Sequence, residues 1–363
     1  MKKLKSLLLI IITFFISCSE SEELVQPDFI STGSYVGKYF PTQNWKYCSP
    51  EEVGLNSKLL IKAHDQVSDP TYKTDGYLII KDGYIVAEYF FEDFGPNVKH
   101  LSYSIAKSFT SATVGIAIDK GIINSAQDPI VQYYSELNHD TVQPWKKQIT
   151  IENLLTMTSG IQWSEDGVLD NDLYQISLID DYVGYVLNKP VEMEPGTRWE
   201  YNSGESMLLS GIFNIETGNS MFDFAQTNLL QPIGITDLEW MEDQKEQTVA
   251  GWGIYATMYD FARFGYLFLN KDTWDGNQVI SENWVTQSTK SFSSEIPYYG
   301  YLWWLPDENT LNQVNLPENM FMAVGAFGQY IIVIPSYNIV IVRVGSDLNW
   351  NSNEFIRLVL DAA

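Results

Sequence analysis

The chain is 363 residues long, enough for one large core or two closely packed lobes. With 45% hydrophobic and 14% aromatic residues, it has the makeup of a folded globular protein and not of a disordered one. Its 46 acidic and 22 basic residues leave a formal charge of −24. That charge excludes nucleic acid as a partner, because phosphates would be repelled over most of the surface.

The amino terminus reads as a targeting segment. Met1-Lys2-Lys3-Leu4-Lys5 is basic, and Leu7 to Ile16 is an apolar run too short for a comfortable membrane span. It ends Phe15-Ile16-Ser17-Cys18, which resembles a bacterial lipobox, although Phe15 departs from the usual Leu. In such signals the cysteine is lipidated and becomes the first mature residue. Ser19-Glu20-Ser21-Glu22-Glu23 then reads as a flexible acidic tether, similar to the signal some Gram-negative lipoproteins use to reach the cell surface. The expectation is a signal peptide over 1–17, a lipid-anchored tether and lead-in over 18–45, and a folded domain over 46–363. The location would be the cell envelope, at the outer membrane and facing the periplasm or the surface, with membrane contact only through the lipid on Cys18. A cleaved secretory peptide and a secreted protein are the alternative. Cys48 is the only other cysteine, so a disulfide framework is absent.

Leu55 to Val67 has the apolar spacing of a helix. Gly76 to Phe90 reads as two strands around Asp82-Gly83, a strong hairpin signal. A helix follows from about Ser104 to Lys120, apolar through Ile105, Phe109, Ala112, Ile116 and Ala117 and stopped by Gly121. From 122 to 290 the chain is mostly helical segments and loops, among them Thr150–Met157, Ser206–Thr217 before Gly218, and Met258–Leu269. Tyr299–Leu305, Phe321–Ala326, Gln329–Ile334 and Asn338–Val344 are strand-like, the last two joined by a Pro335-Ser336-Tyr337 turn. A final helix covers about Asn353–Leu360. Strands at both ends and helices between predict an α/β (α+β) fold. Its antiparallel sheet would be built from both chain ends and flanked by helices. A mostly helical middle lobe would pack beside the sheet, with a cleft at their junction.

Chemistry concentrates at Ser102-Tyr103-Ser104-Ile105-Ala106-Lys107-Ser108. On a helix, i and i+3 share a face, which places Lys107 beside the Ser104 hydroxyl. A serine is a weak nucleophile until a base takes its proton, and a partly buried lysine can be that base. One such spacing is expected by chance in a chain with this many serines and lysines, so its companions decide. They are Leu154-Leu155-Thr156-Met157-Thr158-Ser159-Gly160-Ile161, Tyr201-Asn202-Ser203, Ala256-Thr257-Met258-Tyr259-Asp260-Phe261-Ala262-Arg263-Phe264-Gly265, and Ala323-Val324-Gly325-Ala326-Phe327-Gly328-Gln329-Tyr330.

In this order the motifs resemble the β-lactamase-related serine hydrolases, from about residue 50 to the end. That group includes class C β-lactamases, DD-peptidases, family VIII esterases and nylon-oligomer hydrolases. The resemblance implies the β-lactamase/DD-peptidase-like fold, with Ser104 as acylated nucleophile and Lys107 as its base. Tyr201 would shuttle protons to the leaving group and from the deacylating water. The backbone N–H groups of Ser104 and Ala326 would hold the oxyanion, with Ser203 and Gly325 contacting substrate. Two positions depart from the pattern. Ser203 stands where the family often has Asn, as in the nylon-hydrolase and esterase branches. Ala323-Val324-Gly325 stands where β-lactamases and many DD-peptidases carry Lys-Thr-Gly or a His variant, so a cation for a substrate carboxylate is missing there.

Plainer readings exist for each residue. Ser104 and Lys107 could form an ordinary helix turn, and Tyr201 could be a core aromatic. Ser203 could be a helix N-cap, and Gly325–Gly328 a bulged edge strand. The aromatics Tyr298, Tyr299, Tyr301, Trp303 and Trp304 read as the two faces of one strand, with one or two ring edges in the cleft. His100 is close to Ser104 in sequence but not in a triad arrangement, and neither His64 nor His139 has a site context. The expectation is therefore a serine hydrolase that forms an acyl-enzyme on Ser104 and cleaves a small ester, amide or peptide. It would work as a monomer, without metal or organic cofactor. A penicillin-binding DD-peptidase or β-lactamase is one alternative, and a non-catalytic cell-wall or partner-binding protein is the other.

Overall fold

The computed structural model describes residue 33 and residues 35–363, apart from 168–169, 272, 307–315, 348–349 and 351. Cys18, the expected signal peptide and the acidic tether lie outside the described residues. The strands are β1 (Lys46–Tyr47), β2 (Thr74–Lys81), β3 (Tyr84–Phe90), β4 (His100–Leu101), β5 (Glu239–Trp240), β6 (Ile254–Ala256), β7 (Thr273–Trp274), β8 (Asn277–Gln278), β9 (Phe321–Gly325), β10 (Gln329–Ile334) and β11 (Ile339–Gly345). The helices are α1 (Ser57–Val67), α2 (Ile105–Asp119), α3 (Ile151–Leu155), α4 (Asp172–Ile176), α5 (Tyr182–Asn188), α6 (Ser203–Thr217), α7 (Met221–Ala225), α8 (Met258–Leu269), α9 (Glu282–Ser288) and α10 (Ser352–Asp361).

Both chain ends build the main sheet, in the order β1-β3-β2-β11-β10-β9. Its pairs are antiparallel except β1 with β3. The hairpin expected at Asp82-Gly83 joins β2 to β3, with both turn residues at positive φ. Side chains alternate across this sheet with period two, and both faces are buried. Leu78, Ile80, Ile331, Val333, Val340 and Val342 enter one core, shared with α2, α8 and the helical lobe. Tyr77, Ile79, Ile332, Ile334, Ile339 and Ile341 enter the other, closed by Leu60, Ala63 and Val67 of α1 and Phe355, Ile356 and Val359 of α10. Each fully buried Val, Leu or Ile here is worth about 1.5–3 kcal/mol.

Helix α2 is buried on every side from Ile105 to Ala117 and forms the axis between the lobes. Some of its hydroxyls bond inside: Ser108 donates to the Leu302 carbonyl at 2.8 Å and Thr110 to that of Ala250 at 2.8 Å, whereas the Ser111 hydroxyl is buried without a partner among the described residues. A small sheet, β4-β6-β5, leads into it. The lead-in is docked from Tyr35 onward. Tyr35 donates to Asp82 at 2.9 Å, Arg263 to the Pro41 carbonyl at 2.9 Å, and Trp274 to the Thr42 hydroxyl at 2.6 Å.

The strand expected over Tyr299–Leu305 does not form. Tyr299 and Trp304 make a single bridge across a tight reversal in which Leu302 has φ 60°, and Trp304 bridges Met322. The backbone bonds go elsewhere: Leu302 N–H to Leu155 at 2.9 Å and Tyr301 N–H to Ser288 at 2.9 Å. Alternating aromatics that satisfy a strand pattern also satisfy a reversal whose rings are buried one by one.

Candidate active site

The site is built where α2 begins, between the end of β9 and the start of α6. Ser102 is held from two sides: its N–H reaches the Ile254 carbonyl at 2.7 Å, and its hydroxyl accepts from Ile254 N–H at 3.2 Å. Tyr103 then takes φ 46°, a region bulky side chains avoid. That kink converts β4 into α2 within the three residues Ser102–Ser104. Ser104 is left in the N-cap position, partly open, at the head of α2, whose first three N–H groups turn back to the carbonyls of Ser102, Tyr103 and Ser104.

Lys107, one turn on, is buried. Its Nζ lies 2.9 Å from Ser104 Oγ, 2.9 Å from Ser203 Oγ and 2.8 Å from the Gly251 carbonyl oxygen. Gly251 can come this close because it has no side chain; a Cβ there would sit 2.7 Å from the Ser203 carbonyl. Ser203 is the first residue of α6 and not its N-cap. Asn202 is the cap, accepting from Glu205 N–H at 3.2 Å, which leaves the Ser203 hydroxyl for Lys107. Ser203 N–H donates to Glu165 at 2.9 Å, and the same oxygen accepts from the Trp163 indole at 2.9 Å.

Tyr201 places its ring over Lys107, 5.0 Å from Nζ to the centroid. Its hydroxyl makes no hydrogen bond to Ser104 or Lys107 among the described residues. The ring stacks on Trp304 with centroids 6.0 Å apart and planes at 23°. Trp199 and Tyr299 close around that pair. The reversal at 299–304 thus supplies one wall of the cleft.

The other wall is the end of β9. Gly325 packs on the Ser102 carbonyl so closely that a Cβ would lie 2.2 Å from its oxygen. Ala326 opens the tight turn Ala326–Gly328, in which Phe327 has φ 61°. Fully buried Arg343 of β11 holds this turn, donating to the Gly328 carbonyl at 2.7 Å and the Phe327 carbonyl at 3.4 Å. Its other arm donates to the Tyr72 carbonyl at 2.6 Å and the Thr74 hydroxyl at 2.9 Å. Ala323 faces the core on the α2 side and offers no charge.

Glu205, two residues into α6, is buried, and burial pushes its carboxyl well above the usual carboxylate range. Oε1 accepts the Ser159 hydroxyl at 2.5 Å and the Ser159 N–H at 3.3 Å, while Oε2 has no partner, as suits an un-ionised acid. This bond ties the 158–165 loop, which carries Glu165, to the start of α6. A raised pKa gives stability that is full below the unfolded pKa and lost as pH climbs through the folded one. Glu205→Gln keeps the acceptor and cannot ionise. Its melting temperature relative to the parent should therefore rise by about 2–5 °C between pH 4 and pH 8. A difference that stays flat with pH would contradict the assignment.

Of the residues singled out from sequence, Ser104, Lys107, Tyr201 and Ser203 meet, and Gly325 and Ala326 border them. Glu165, Glu205, Gly251 and Arg343 escaped that reading. Only Glu205 carried a local signal, three residues after a capping Asn. Neither His64, bonded to the Tyr77 hydroxyl at 3.1 Å, nor His100, 3.4 Å from Asp75, has a bond to these groups among the described residues.

The Beta-lactamase family model matches residues 72–363. A 6-aminohexanoate-dimer hydrolase from Paenarthrobacter ureafaciens is 25% identical over 299 residues, which cover 75% of this chain and 72% of that protein. Among solved structures, a family VIII carboxylesterase superposes with a TM-score of 0.66 at 15% identity, covering 84% of this chain and 96% of that one. A penicillin-binding protein homologue from Caulobacter crescentus gives 0.65 at 14% identity, over 83% and 95%.

Proposed function

Because this chain belongs to the Beta-lactamase family, we propose that it is a serine hydrolase cleaving an ester or amide of a small molecule through an acyl-enzyme on Ser104. The observation that carries this reading is the buried Lys107 amine, bonded at once to Ser104, Ser203 and Gly251. Two of these contacts, to the Gly251 carbonyl and the Ser203 hydroxyl, fix the Lys107 amine in place, and the third holds it against Ser104 Oγ, where a base must stand to take the hydroxyl proton.

Ser104 Oγ attacks the carbonyl carbon as its proton passes to Lys107. Negative charge gathers on the carbonyl oxygen and is met by the N–H groups of Ser104 and Ala326 and by the α2 dipole. The proton goes by way of Tyr201 to the leaving alcohol or amine, and the C–O or C–N bond breaks. Water then attacks the Ser104 ester, giving its proton back along the same path, and the acid departs. In this relay Tyr201, whose ring already lies over Lys107, carries the proton through its hydroxyl.

The homologue names include both an amide and an ester hydrolase, and a penicillin-binding protein homologue fits the fold as well. The apolar Ala323 argues for neutral substrates over carboxylates. A panel of p-nitrophenyl esters, D-amino-acid amides and nitrocefin tests this directly. At least one ester should be hydrolysed, with nitrocefin slower by about 100-fold or more, the cost of a missing charged contact. Rapid nitrocefin opening would favour a β-lactamase. We further propose anchoring of the enzyme in the cell envelope through Cys18, which a Cys18→Ser variant moving from the membrane to the soluble fraction would support.

A further inference from the structure

Two aromatic side chains bracket the pair of N–H groups assigned to the oxyanion. Tyr103 immediately precedes Ser104, and Phe327 immediately follows Ala326. Both are held at positive φ, 46° and 61°, in a region that side chains beyond glycine seldom occupy. Their rings meet across the gap between the two turns, with centroids 5.0 Å apart and planes at 52°. Phe327 stays 37% exposed even so, while the backbone around it is fixed by Arg343 and by Gln329, whose amide reaches the Phe327 carbonyl at 3.3 Å. The turn is anchored by those bonds and has no need of the ring. Strained backbone that keeps an aromatic side chain open beside the assigned oxyanion groups, with no structural bond requiring that ring, points to a ligand.

We propose that the Tyr103–Phe327 pair is the acyl-chain subsite, selecting substrates whose acyl group is uncharged and apolar, a medium alkyl chain or an aryl ring. This rests on the reading of Ser104 as the acylated residue. The leaving group departs toward Tyr201 and Trp304, so the acyl chain takes the opposite direction, over Tyr103 and Phe327. No cation meets it there from β9, since Ala323 occupies that position.

The test is kcat/KM for p-nitrophenyl acetate, butyrate, octanoate and benzoate with one fixed leaving group. In the parent protein, octanoate and benzoate should exceed acetate. In Phe327→Ala the octanoate-to-acetate ratio should fall about tenfold, the scale of an apolar contact in a specificity pocket, whereas Phe327→Leu should keep most of it. Equal losses on every ester, or an unchanged ratio, would overturn the subsite. The unaltered protein gives an independent reading should Phe327→Ala fail to fold. A p-nitrophenyl octylphosphonate should label Ser104 faster than its methyl analogue, and equal rates would also overturn it. A protein that leaves every ester intact and Ser104 unlabelled would overturn the hydrolase reading as well. Normal turnover lost in Ser104→Ala, with no chain-length effect of Phe327→Ala, would remove the subsite alone.

Discussion

Ser104→Ala is expected to lower kcat on any hydrolysed ester by about 10⁴-fold or more, because among the described residues no other hydroxyl is placed on the Lys107 amine and at the α2 N-terminus together. Ser203 shares the lysine, but it lies at the first position of α6 with its own N–H spent on Glu165. Lys107→Ala should cost about 10³-fold, within the range for loss of a positioned base. The two losses should not add in the double variant, since either one removes the same step. KM should change little in Ser104→Ala. Retention of more than about a tenth of the parent rate in either single variant would mean that the chemistry lies elsewhere.

Arg343→Met is expected to damage stability and rate together. The guanidinium is fully buried and bonds to the carbonyls of Phe327, Gly328 and Tyr72 and to the Thr74 hydroxyl, with its plane 4.7 Å from the Trp350 ring centroid. Methionine matches the volume but leaves those acceptors buried without donors, at a cost of about 3 kcal/mol or more. For a domain of this size that lowers the melting temperature by about 6 °C. The turn bearing Ala326 N–H would lose its anchor, and kcat should drop by about 100-fold, as when an oxyanion donor is lost. Arg343→Lys should fall between, because an ammonium cannot fork to both segments. A destabilised Arg343→Met enzyme with parental kcat at a temperature where it is folded would show that the turn does not depend on this anchor.

Local features were legible in the sequence. The Asp82-Gly83 hairpin, α1, α2 with its Gly121 stop, α8 and α10 follow from periodicity and end signals that act within a few residues. The contact of Ser104 with Lys107 is of the same kind, a helix repeat. The joining of strands from both ends into one sheet also followed, with β11 pairing to β2 across the seam and β10 and β9 continuing the sheet beyond it. What the sequence hid is long-range. Gly251 meets Lys107 across 144 residues, and Arg343 reaches Tyr72 across 271. Neither residue carries a mark of its role. The 299–304 reversal was misread because period-two aromatics are ambiguous when the neighbours that bury each ring are unknown. Ser203 shows the same limit: as a helix-start serine it could cap or serve the site, and the Asn202 cap decided between them.

The central claim is that one hydroxyl in this chain is activated by a buried amine. Incubation of the protein with a fluorophosphonate probe, followed by peptide mass spectrometry, measures that directly. A single phosphonyl adduct on Ser104, absent from Ser104→Ala and slowed in Lys107→Ala, is the predicted result. An unlabelled protein, or an adduct on another serine that survives Ser104→Ala, would contradict it.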